Sequence, residues 1–307
     1  MHIQKQLPKR SRMGDYLHDA RLRLNAQRDA ARGFPALRAL FQKRVGYAPD
    51  LDQPRTFNEK ITWRKLYDRN PLFIQASDKL RMRDVVRDIL GAEASADLFP
   101  KLYLAAAHPD ELDFSALPAD LALKANHASG RNAFLRAGQP VDEAKLRQIC
   151  ARWLRLSYGV DKHEWAYQHI PRRILAEELL TGAPGDALRD LKFNMFGDRL
   201  GFAQIDHDIF GDYRQDNVDD TWSALPFQGV YPASDVLEAE PSCFHDALAI
   251  ARAIGRHFDY VRVDFMFTNN RFWLNELTFY RGSGMNPFTP PAIDLTLGEM
   301  WTLPGKA

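Results

Sequence analysis

The chain has 307 residues, of which 45% are hydrophobic and 26% are charged, and its formal net charge is +1. This composition is typical of a globular protein with one composite domain or two smaller ones. So small a net charge does not favour nucleic acid as a partner. The two cysteines, Cys150 and Cys243, lack the spacing of a metal site and are consistent with a reducing compartment.

The N-terminal segment is unevenly charged, since residues 1–47 contain eleven Lys and Arg against three Asp. Such a segment is typical of a solvated helix face, or of a surface that contacts anionic lipid or an acidic glycan. The chain has no apolar run of the roughly 18 residues that a membrane span needs, and no signal-peptide core. We therefore expect a cytoplasmic protein, with peripheral contact at the inner face of the membrane left open.

Hydrophobic periodicity predicts helices and strands in separate groups along the chain. Thr56 followed by Glu59 is a capping-box pattern and predicts the start of a helix. The predicted helices cover residues 16–46, 57–69, 79–90, 142–157 and 241–256, and the predicted strands cover 101–106, 121–124, 172–180, 189–196 and 201–206. The segment 206–232 is polar and aromatic without a clear period. This order indicates an α+β fold with short segregated sheets.

A predicted hairpin over 261–267 and 272–278 carries two acids inside otherwise apolar strands, which is costly unless the acids are paired. The alternation of side chains in a strand places Arg262 and Asp264 on one face, and it places Glu276 and Thr278 together on the second strand.

The length of the connection decides how those faces meet. A two-residue turn at Asn269-Asn270 would set Asp264 opposite Asn275, whereas a three-residue loop over 269–271 would set Asp264 opposite Glu276. The longer loop gathers both acids on one surface, as a Mg²⁺ and phosphate site requires. This hairpin is our first site hypothesis.

Two lysines are candidates for phosphate binding. Lys124 ends a short apolar strand and precedes a small-residue loop that contains Ser129 and Gly130, an arrangement that suits a phosphate clamp. The alternative is a surface lysine at a strand end. Lys79 stands at a helix start and is a weaker candidate.

Three further features of the sequence have two interpretations each. Glu177 and Glu178 close an apolar strand and could meet a purine edge or could be an exposed strand end. Lys192 shares a strand face with Asp190 and Asn194, which is consistent with a ligand or with solvent. His127 is consistent with a general base or with a loop residue that packs locally.

Taken in order, these elements resemble an ATP-grasp enzyme. More narrowly, several segments resemble the TupA-like ATP-grasp family over roughly residues 35–300: 54–63, 77–79, 123–127, 220–222, 262–264 and 276–279. That family is associated with teichuronopeptide and other bacterial surface polysaccharide biosynthesis. The resemblance implies an ATP-grasp fold of two α+β subdomains that grip ATP. It divides the chain into a helical segment (1–75), a subdomain with phosphate loop and hinge (76–180) and a subdomain with the metal hairpin (181–307).

The resemblance also implies roles for individual residues. Those implied for the nucleotide are Lys79, Lys124, Asn126, His127, Ser129, Gly130, Glu177, Glu178 and Leu180, with Lys192 and Arg214 as further phosphate contacts. Those implied for Mg²⁺ are Asp264, Glu276 and Thr278, the last standing where many ATP-grasp ligases have Asn. Those implied for catalysis are Arg262, Lys124 and Arg281, and those for the acyl substrate are Arg281, Ser283 and Gly284.

The function implied is ATP- and Mg²⁺-dependent ligation of a carboxylate to an amine through an acyl phosphate. The expected partners are a small-molecule or lipid-linked glycan, such as a uronic acid of a capsule or O-antigen precursor, and an amino acid or amine. A kinase on the same fold and a non-catalytic nucleotide or glycan binder are the alternatives.

Overall fold

The computed structural model describes residues 2–4, 10–182, 187–207, 213–268 and 271–305. Within them the chain is α+β, as predicted, with helices packed on two antiparallel sheets. The α-helices are α1 (Arg12–Ala31), α2 (Pro35–Val45), α3 (Phe57–Tyr67), α4 (Leu72–Ala76), α5 (Met82–Leu90), α6 (Ala92–Ser95), α7 (Glu143–Arg155), α8 (Trp165–Gln168), α9 (Phe244–Gly255) and α10 (Ala292–Glu299). The strands are β1 (His2–Gln4), β2 (Leu102–Ala106), β3 (Leu121–Ala125), β4 (Asn132–Leu135), β5 (Ile174–Glu178), β6 (Arg189–Phe196), β7 (Arg199–His207), β8 (Arg214–Val218), β9 (Val261–Phe267) and β10 (Phe272–Thr278). None of the helices in these ranges is long and apolar enough to cross a membrane.

The prediction of one continuous helix over 16–46 is wrong, because the chain breaks between α1 and α2. Phe34 adopts a left-handed conformation with φ of 64°, which residues other than glycine rarely adopt. Pro35 then begins α2, where its missing N–H is not needed. The Asp29 carboxylate accepts a hydrogen bond from the backbone N–H of Ala36 at 2.7 Å. A carboxylate near the end of α1 therefore caps α2, which helical periodicity does not reveal.

Helix α3 begins where the capping box predicted. The Thr56 hydroxyl accepts from the Glu59 N–H at 3.2 Å, and the Glu59 carboxylate accepts from the Thr56 N–H at 3.0 Å. The helix packs against the C-terminal part of the chain, where the buried Lys65 Nζ donates to the Ser283 carbonyl at 2.7 Å. Helices α3, α4 and α5 thus share a core with the second sheet.

The first sheet has the strand order β1-β4-β3-β5-β2, with antiparallel pairing throughout. Its apolar face is covered by α7, which contributes Leu146, Cys150 and Trp153 to the core. Strand β1 was not predicted, and it adds residues 2–4 to the edge of the sheet.

The second sheet has the order β10-β9-β6-β7-β8, also antiparallel throughout. Helix α9 packs on it with Phe244, Leu248 and Ile254 in the core. The sequence showed no period over 206–232, yet β8 lies in that segment. Gln215 of β8 lies on the polar face of the sheet, where its Nε2 donates to Asp206 on β7 at 2.9 Å. A polar strand residue is therefore suited to this position.

At the end of the hairpin away from its turn, β9 and β10 pair as predicted. Asp264 lies opposite Glu276, and Arg262 lies opposite Thr278. Both acids therefore lie on one surface with the arginine, which was the condition for a metal and phosphate site.

The predicted three-residue loop is wrong, because a different feature of the hairpin produces that pairing. Phe267 pairs with Phe272, the register of the shorter connection. A β-bulge between Leu274 and Glu276 then adds one residue and shifts the register for the rest of the hairpin. Residues 269–270 at the turn lie outside the described part of the chain.

Candidate active site

A cleft of about 780 Å³ is lined by residues of both sheets, including β3 and β4 from the first and β6, β9 and β10 from the second. This volume is within the range of small-molecule sites. Its lining carries both signs of charge: Lys79, Lys124, Arg136, Lys192 and Arg262, with Glu178, Asp190, Asp206, Asp264 and Glu276. Such a lining can bind a polyanion together with a metal cation.

The hairpin supplies one wall of this cleft. Arg262 donates from Nε and Nη2 to the two carboxylate oxygens of Asp264 at 2.7 and 2.6 Å. Its Nη2 also donates to the Thr278 hydroxyl at 3.3 Å and lies 3.7 Å from Glu276 Oε1. The Arg262 guanidinium thus contacts all three side chains that the resemblance assigned to Mg²⁺, which are Asp264, Glu276 and Thr278.

The two acids differ in protonation. Burial raises the pKa of Asp264 to about 7, although the charge of Arg262 opposes the shift, and the charge of Glu276 adds to it. Burial acts on Glu276 as well, but Lys79 and Arg262 stabilise its charge and lower its pKa to about 2. Asp264 is therefore a buried carboxylate whose charge is incompletely compensated, and a cation beside it would stabilise the ionised form.

Both predicted phosphate lysines reach the cleft. Lys79 Nζ donates to the Ala128 carbonyl at 3.1 Å and lies 3.2 Å from Glu276 Oε2, so it connects the loop after β3 with the hairpin. Lys124 extends from β3, and its Nζ lies 3.0 Å from Glu177 Oε2. Two ammonium groups therefore lie in the same cleft as the carboxylate pair.

Three of the residues implied for the nucleotide, Glu177, Glu178 and Leu180, do not all lie at the cleft. Glu178 and Leu180 line the cleft. Glu177 does not, because it is buried between Lys124 and Arg83, whose Nη2 donates to Glu177 Oε1 at 2.7 Å. Burial tends to raise the pKa of Glu177, but Lys124 and Arg83 outweigh it and hold the pKa below its ordinary value. The structure thus places Glu177 where it orients a lysine.

The four residues of the loop after β3 that were implied for the nucleotide also differ in position. Ser129 and Gly130 line the cleft, whereas Asn126 and His127 lie behind it, fully buried. Asn126 Nδ2 donates to the Asp78 carboxylate at 2.8 Å, which ties the loop to the turn before α5. Burial, and then nearby cationic charge, lower the pKa of His127 to about 3, so this imidazole is neutral at ordinary pH.

Lys192 lies at the centre of the polar face of the second sheet, opposite Asp264 on β9. Its Nζ donates to the Asp206 carboxylate and lies 3.7 Å from Asp190 Oδ2. Asp190 and Asp206 are directly opposite each other on β6 and β7, and both line the cleft. Sequence reasoning did not select these two acids as site residues. Alternation placed Asp190 on the face of Lys192, but it could not pair β6 with β7.

Asn275 is a second addition to the site. It lines the cleft next to Glu276, although consecutive strand residues normally point to opposite faces. The β-bulge allows this, because the extra residue at the bulge re-aims a side chain. The sequence offered no signal for it.

Four residues implied for substrate or phosphate lie outside the lining of the cleft. Arg281 is buried, and its Nη2 donates to Gln204 Oε1 at 3.4 Å. Arg214 donates to the Ala233 carbonyl at 3.1 Å, at the far edge of the sheet. The other two are Ser283 and Gly284.

Ser283 and Gly284 pack against α3. Ser283 accepts from Lys65 through both its carbonyl and its hydroxyl, at 2.7 and 3.0 Å. Gly284 has φ of 67°, and a Cβ there would lie 2.6 Å from the Thr62 hydroxyl. Close packing explains this glycine, and the substrate roles of both residues remain predictions.

The residues present fit Mg²⁺ bound together with a nucleotide. Mg²⁺ is usually held by one or two carboxylates, with phosphate oxygens and waters completing the octahedron. Asp264 and Glu276 supply two carboxylates on one surface. Burial raises the pKa of Asp264, so a cation beside it would stabilise its ionised form. The described residues contain no group of three or more His, Cys, Asp or Glu side chains that could hold a metal by themselves. The pair therefore suits a shared ion rather than a dedicated metal cage.

Two antiparallel sheets enclose the cleft, with Lys124 from one and the carboxylate hairpin from the other, and Lys79 reaches it from the turn before α5. This arrangement is the one expected of an ATP-grasp protein. The family model described as TupA-like ATPgrasp matches residues 59–302, and the chain belongs to that family. This confirms the predicted family and the predicted α+β ATP-grasp fold.

Similar solved structures include the ATP-grasp ligase PsnB with a phosphomimetic variant of its minimal precursor, Mg and ADP. It is 17% identical, with a TM-score of 0.39, covering 75% of this chain and 60% of that one. N5-carboxyaminoimidazole ribonucleotide synthetase from Thermus thermophilus is 15% identical, with a TM-score of 0.38, covering 66% and 45%. D-alanine–D-alanine ligase from Bacillus anthracis with ATP is 13% identical, with a TM-score of 0.36, covering 67% and 55%.

This chain spans 60% or less of the length of each of those three proteins. The PsnB structure contains Mg and ADP, and the D-alanine–D-alanine ligase structure contains ATP. A comparison with curated proteins finds no match.

Proposed function

We propose that this protein ligates a carboxylate to an amine at the expense of ATP, with Mg²⁺ bound at the hairpin. One observation carries the proposal: Lys79 and Lys124 meet the Asp264–Glu276 pair in a single cleft of about 780 Å³. Lysines are suited to phosphate oxygens and carboxylates to Mg²⁺, so the cleft provides both halves of a Mg–nucleotide site.

Each wall has a distinct role in this proposal. Lys79 and Lys124 bind the phosphates, with Ser129 and Gly130 of the adjoining loop beside them. Asp264 and Glu276 hold Mg²⁺, which neutralises phosphate charge when it is bound. Glu177 keeps Lys124 oriented through the 3.0 Å contact between their charged groups.

The reaction proceeds in two transfers. A carboxylate oxygen of the first substrate attacks the γ-phosphorus of ATP, the bond to the β-phosphate oxygen breaks, and ADP and an acyl phosphate result. The amine then attacks the acyl carbon and loses a proton as inorganic phosphate leaves. Arg262 lies within 3.7 Å of both acids, where its fixed positive charge stabilises negative charge that develops on the transferred group.

The substrate class follows from the family resemblance. We infer that the carboxylate belongs to a uronic acid or a related sugar of a bacterial surface polysaccharide precursor, acted on in the cytoplasm. The amine belongs to an amino acid or a related amine. An anionic sugar is consistent with the lining, because Arg136 adds a cationic group beyond the two phosphate lysines.

Isothermal calorimetry tests the site. ATP and ADP are titrated with and without Mg²⁺ into the wild type, an Asp264→Asn/Glu276→Gln double variant, and a control in which the exposed acids Asp198 and Glu240 are changed to Asn and Gln. We expect Mg²⁺-dependent binding that only the hairpin variant loses. Equal binding by all three proteins would contradict the metal assignment.

Product analysis tests the reaction. The protein is incubated with ATP, uronates and amino acids, and we expect ADP, inorganic phosphate and an amide. A phosphorylated sugar without free phosphate would indicate a kinase instead. If ATP stayed intact with every pair of uronate and amino acid, the protein would be a non-catalytic binder.

A further inference from the structure

Helix α1 has an unusual orientation, since acids rather than leucines attach it to the protein. Asp15 is 1% exposed, and its two oxygens accept from Arg152 Nη2 and Nε at 2.7 and 2.8 Å. Asp19 accepts from the Ser157 N–H at 2.8 Å. Together with Asp29, which caps α2, all three acids of α1 therefore serve internal contacts.

The opposite face of α1 presents large apolar side chains to solvent. Met13 is 66% exposed, Leu17 65%, Leu24 45% and Tyr16 49%. At 100° per residue, Met13, Leu17 and Leu24 fall within about 40° of one another around the helix axis. We call these four residues the outward stripe. Large apolar side chains exposed on one face of a helix are candidates for an interaction surface.

The charge around the outward stripe is positive. Exposed arginines on α1 and next to its ends are Arg10, Arg12, Arg21, Arg28 and Arg32. The acids of α1 do not offset these arginines. Burial acts to raise the pKa of Asp15, but Arg152 has the larger effect and lowers that pKa. Asp15 is therefore ionised and forms a neutral pair with Arg152. The outward face of α1 is therefore apolar and cationic.

We propose that α1 binds the surface of an anionic lipid bilayer, with the outward stripe in the interface and the arginines on lipid phosphates. This combination is typical of helices that lie in a membrane interface, and α1 does not qualify as a membrane span. Two copies of this chain meeting through the same face would bring like charges together. An acidic glycan would leave the leucines in water. The inference does not depend on the ligase proposal, since lipid binding requires neither ATP nor Mg²⁺.

Vesicle co-sedimentation of the full chain tests it. The vesicles contain either phosphatidylcholine alone or an equimolar mixture with phosphatidylglycerol. We expect binding to the anionic vesicles, little binding to the neutral ones, and weaker binding at high salt, because charge attraction is screened.

Two double variants test the two parts of the surface. Arg21→Gln/Arg28→Gln is expected to weaken binding by about 30-fold, since each basic residue near an anionic surface contributes about 1 kcal/mol and about 1.4 kcal/mol is a factor of ten. Leu17→Gln/Leu24→Gln is expected to weaken it by about tenfold or more, because apolar contacts are lost. Matched controls are Arg199→Gln/Arg256→Gln and Val230→Gln/Val236→Gln, all at exposed positions elsewhere.

Several outcomes would overturn the inference. These are no binding to anionic vesicles, equal loss in the controls, and binding to a soluble acidic polysaccharide that the leucine variant retains in full. Light scattering that shows a dimer lost in the leucine variant would assign the face to a second copy instead. Circular dichroism and ATP calorimetry on each variant confirm that the fold and the cleft are intact, so a failure of lipid binding is distinguishable from a failure of the ligase proposal.

Discussion

Changing Glu177 to Gln separates the two roles considered for this residue. The sequence implied an adenine contact, whereas the structure buries the carboxylate between Lys124 and Arg83 at 3.0 and 2.7 Å. Glutamine keeps the size and much of the hydrogen bonding but removes the negative charge. Two cations then face each other across a neutral group in a buried site.

The magnitude follows from burial. Removing one partner of a buried ion pair costs about 3–5 kcal/mol, because the other charge is left uncompensated. Lys124 and Arg83 side chains retain 11% and 19% exposure, so water screens part of the effect and we expect the lower end, about 3 kcal/mol. For 307 residues, an unfolding entropy of about 2.1 cal/mol/K per residue converts this to a fall in Tm of about 5 °C.

Urea denaturation and calorimetry measure this change, with Glu178→Gln as the matched control. Glu178 is the next residue and lines the cleft, and its carboxylate accepts from the exposed backbone N–H of Lys101 at 3.2 Å. We expect that control to lose less than about 1 kcal/mol.

The pH dependence gives a second readout. Because the folded pKa of Glu177 is lowered, its stabilisation is present above the unfolded pKa and disappears as the pH falls through the folded pKa. The stability difference between wild type and Glu177→Gln should therefore be constant near neutrality and shrink in acid. Equal stability of the two proteins at neutral pH, together with weakened ATP binding, would refute the bridging role and restore the adenine contact.

Three further predictions follow from particular contacts. Mg²⁺-dependent ATP binding should strengthen as the pH rises from about 6 to 8, because Asp264, with a pKa of about 7, must lose its proton to ligate; calorimetry of Asp264→Asn should show no such dependence. Gly298→Ala should lower the free energy of unfolding by about 2–3 kcal/mol, since a Cβ would lie 2.0 Å from the Arg55 carbonyl, whereas Gly305→Ala has nothing within 4 Å and should be neutral in urea titrations. Cys150 should resist a thiol reagent until the protein is denatured, because it is buried and burial raises its pKa to about 12; rapid labelling of the native protein would contradict this.

Local patterns in the sequence determined much of the fold. The capping box at Thr56 located the start of α3, and alternation placed Arg262 with Asp264 on one face of β9. Both signals are reliable because they depend on neighbours within a few residues, where backbone geometry fixes the direction of side chains. The order of lysines and acids along the chain then sufficed to indicate the family.

Contacts between distant segments decided the rest. Alternation alone could not place the bulge that brings Asn275 beside Glu276, since a bulge depends on how β10 packs against β9. The pairing of Asp190 with Asp206 and the burial of Glu177 between two cations likewise join residues far apart in the sequence. The outward stripe of α1 has the same origin: its periodicity indicated a helix, but the salt bridge from Asp15 to Arg152 decides which face meets solvent. Tertiary packing selects among the faces and registers that the sequence allows, because only there do these side chains meet their partners.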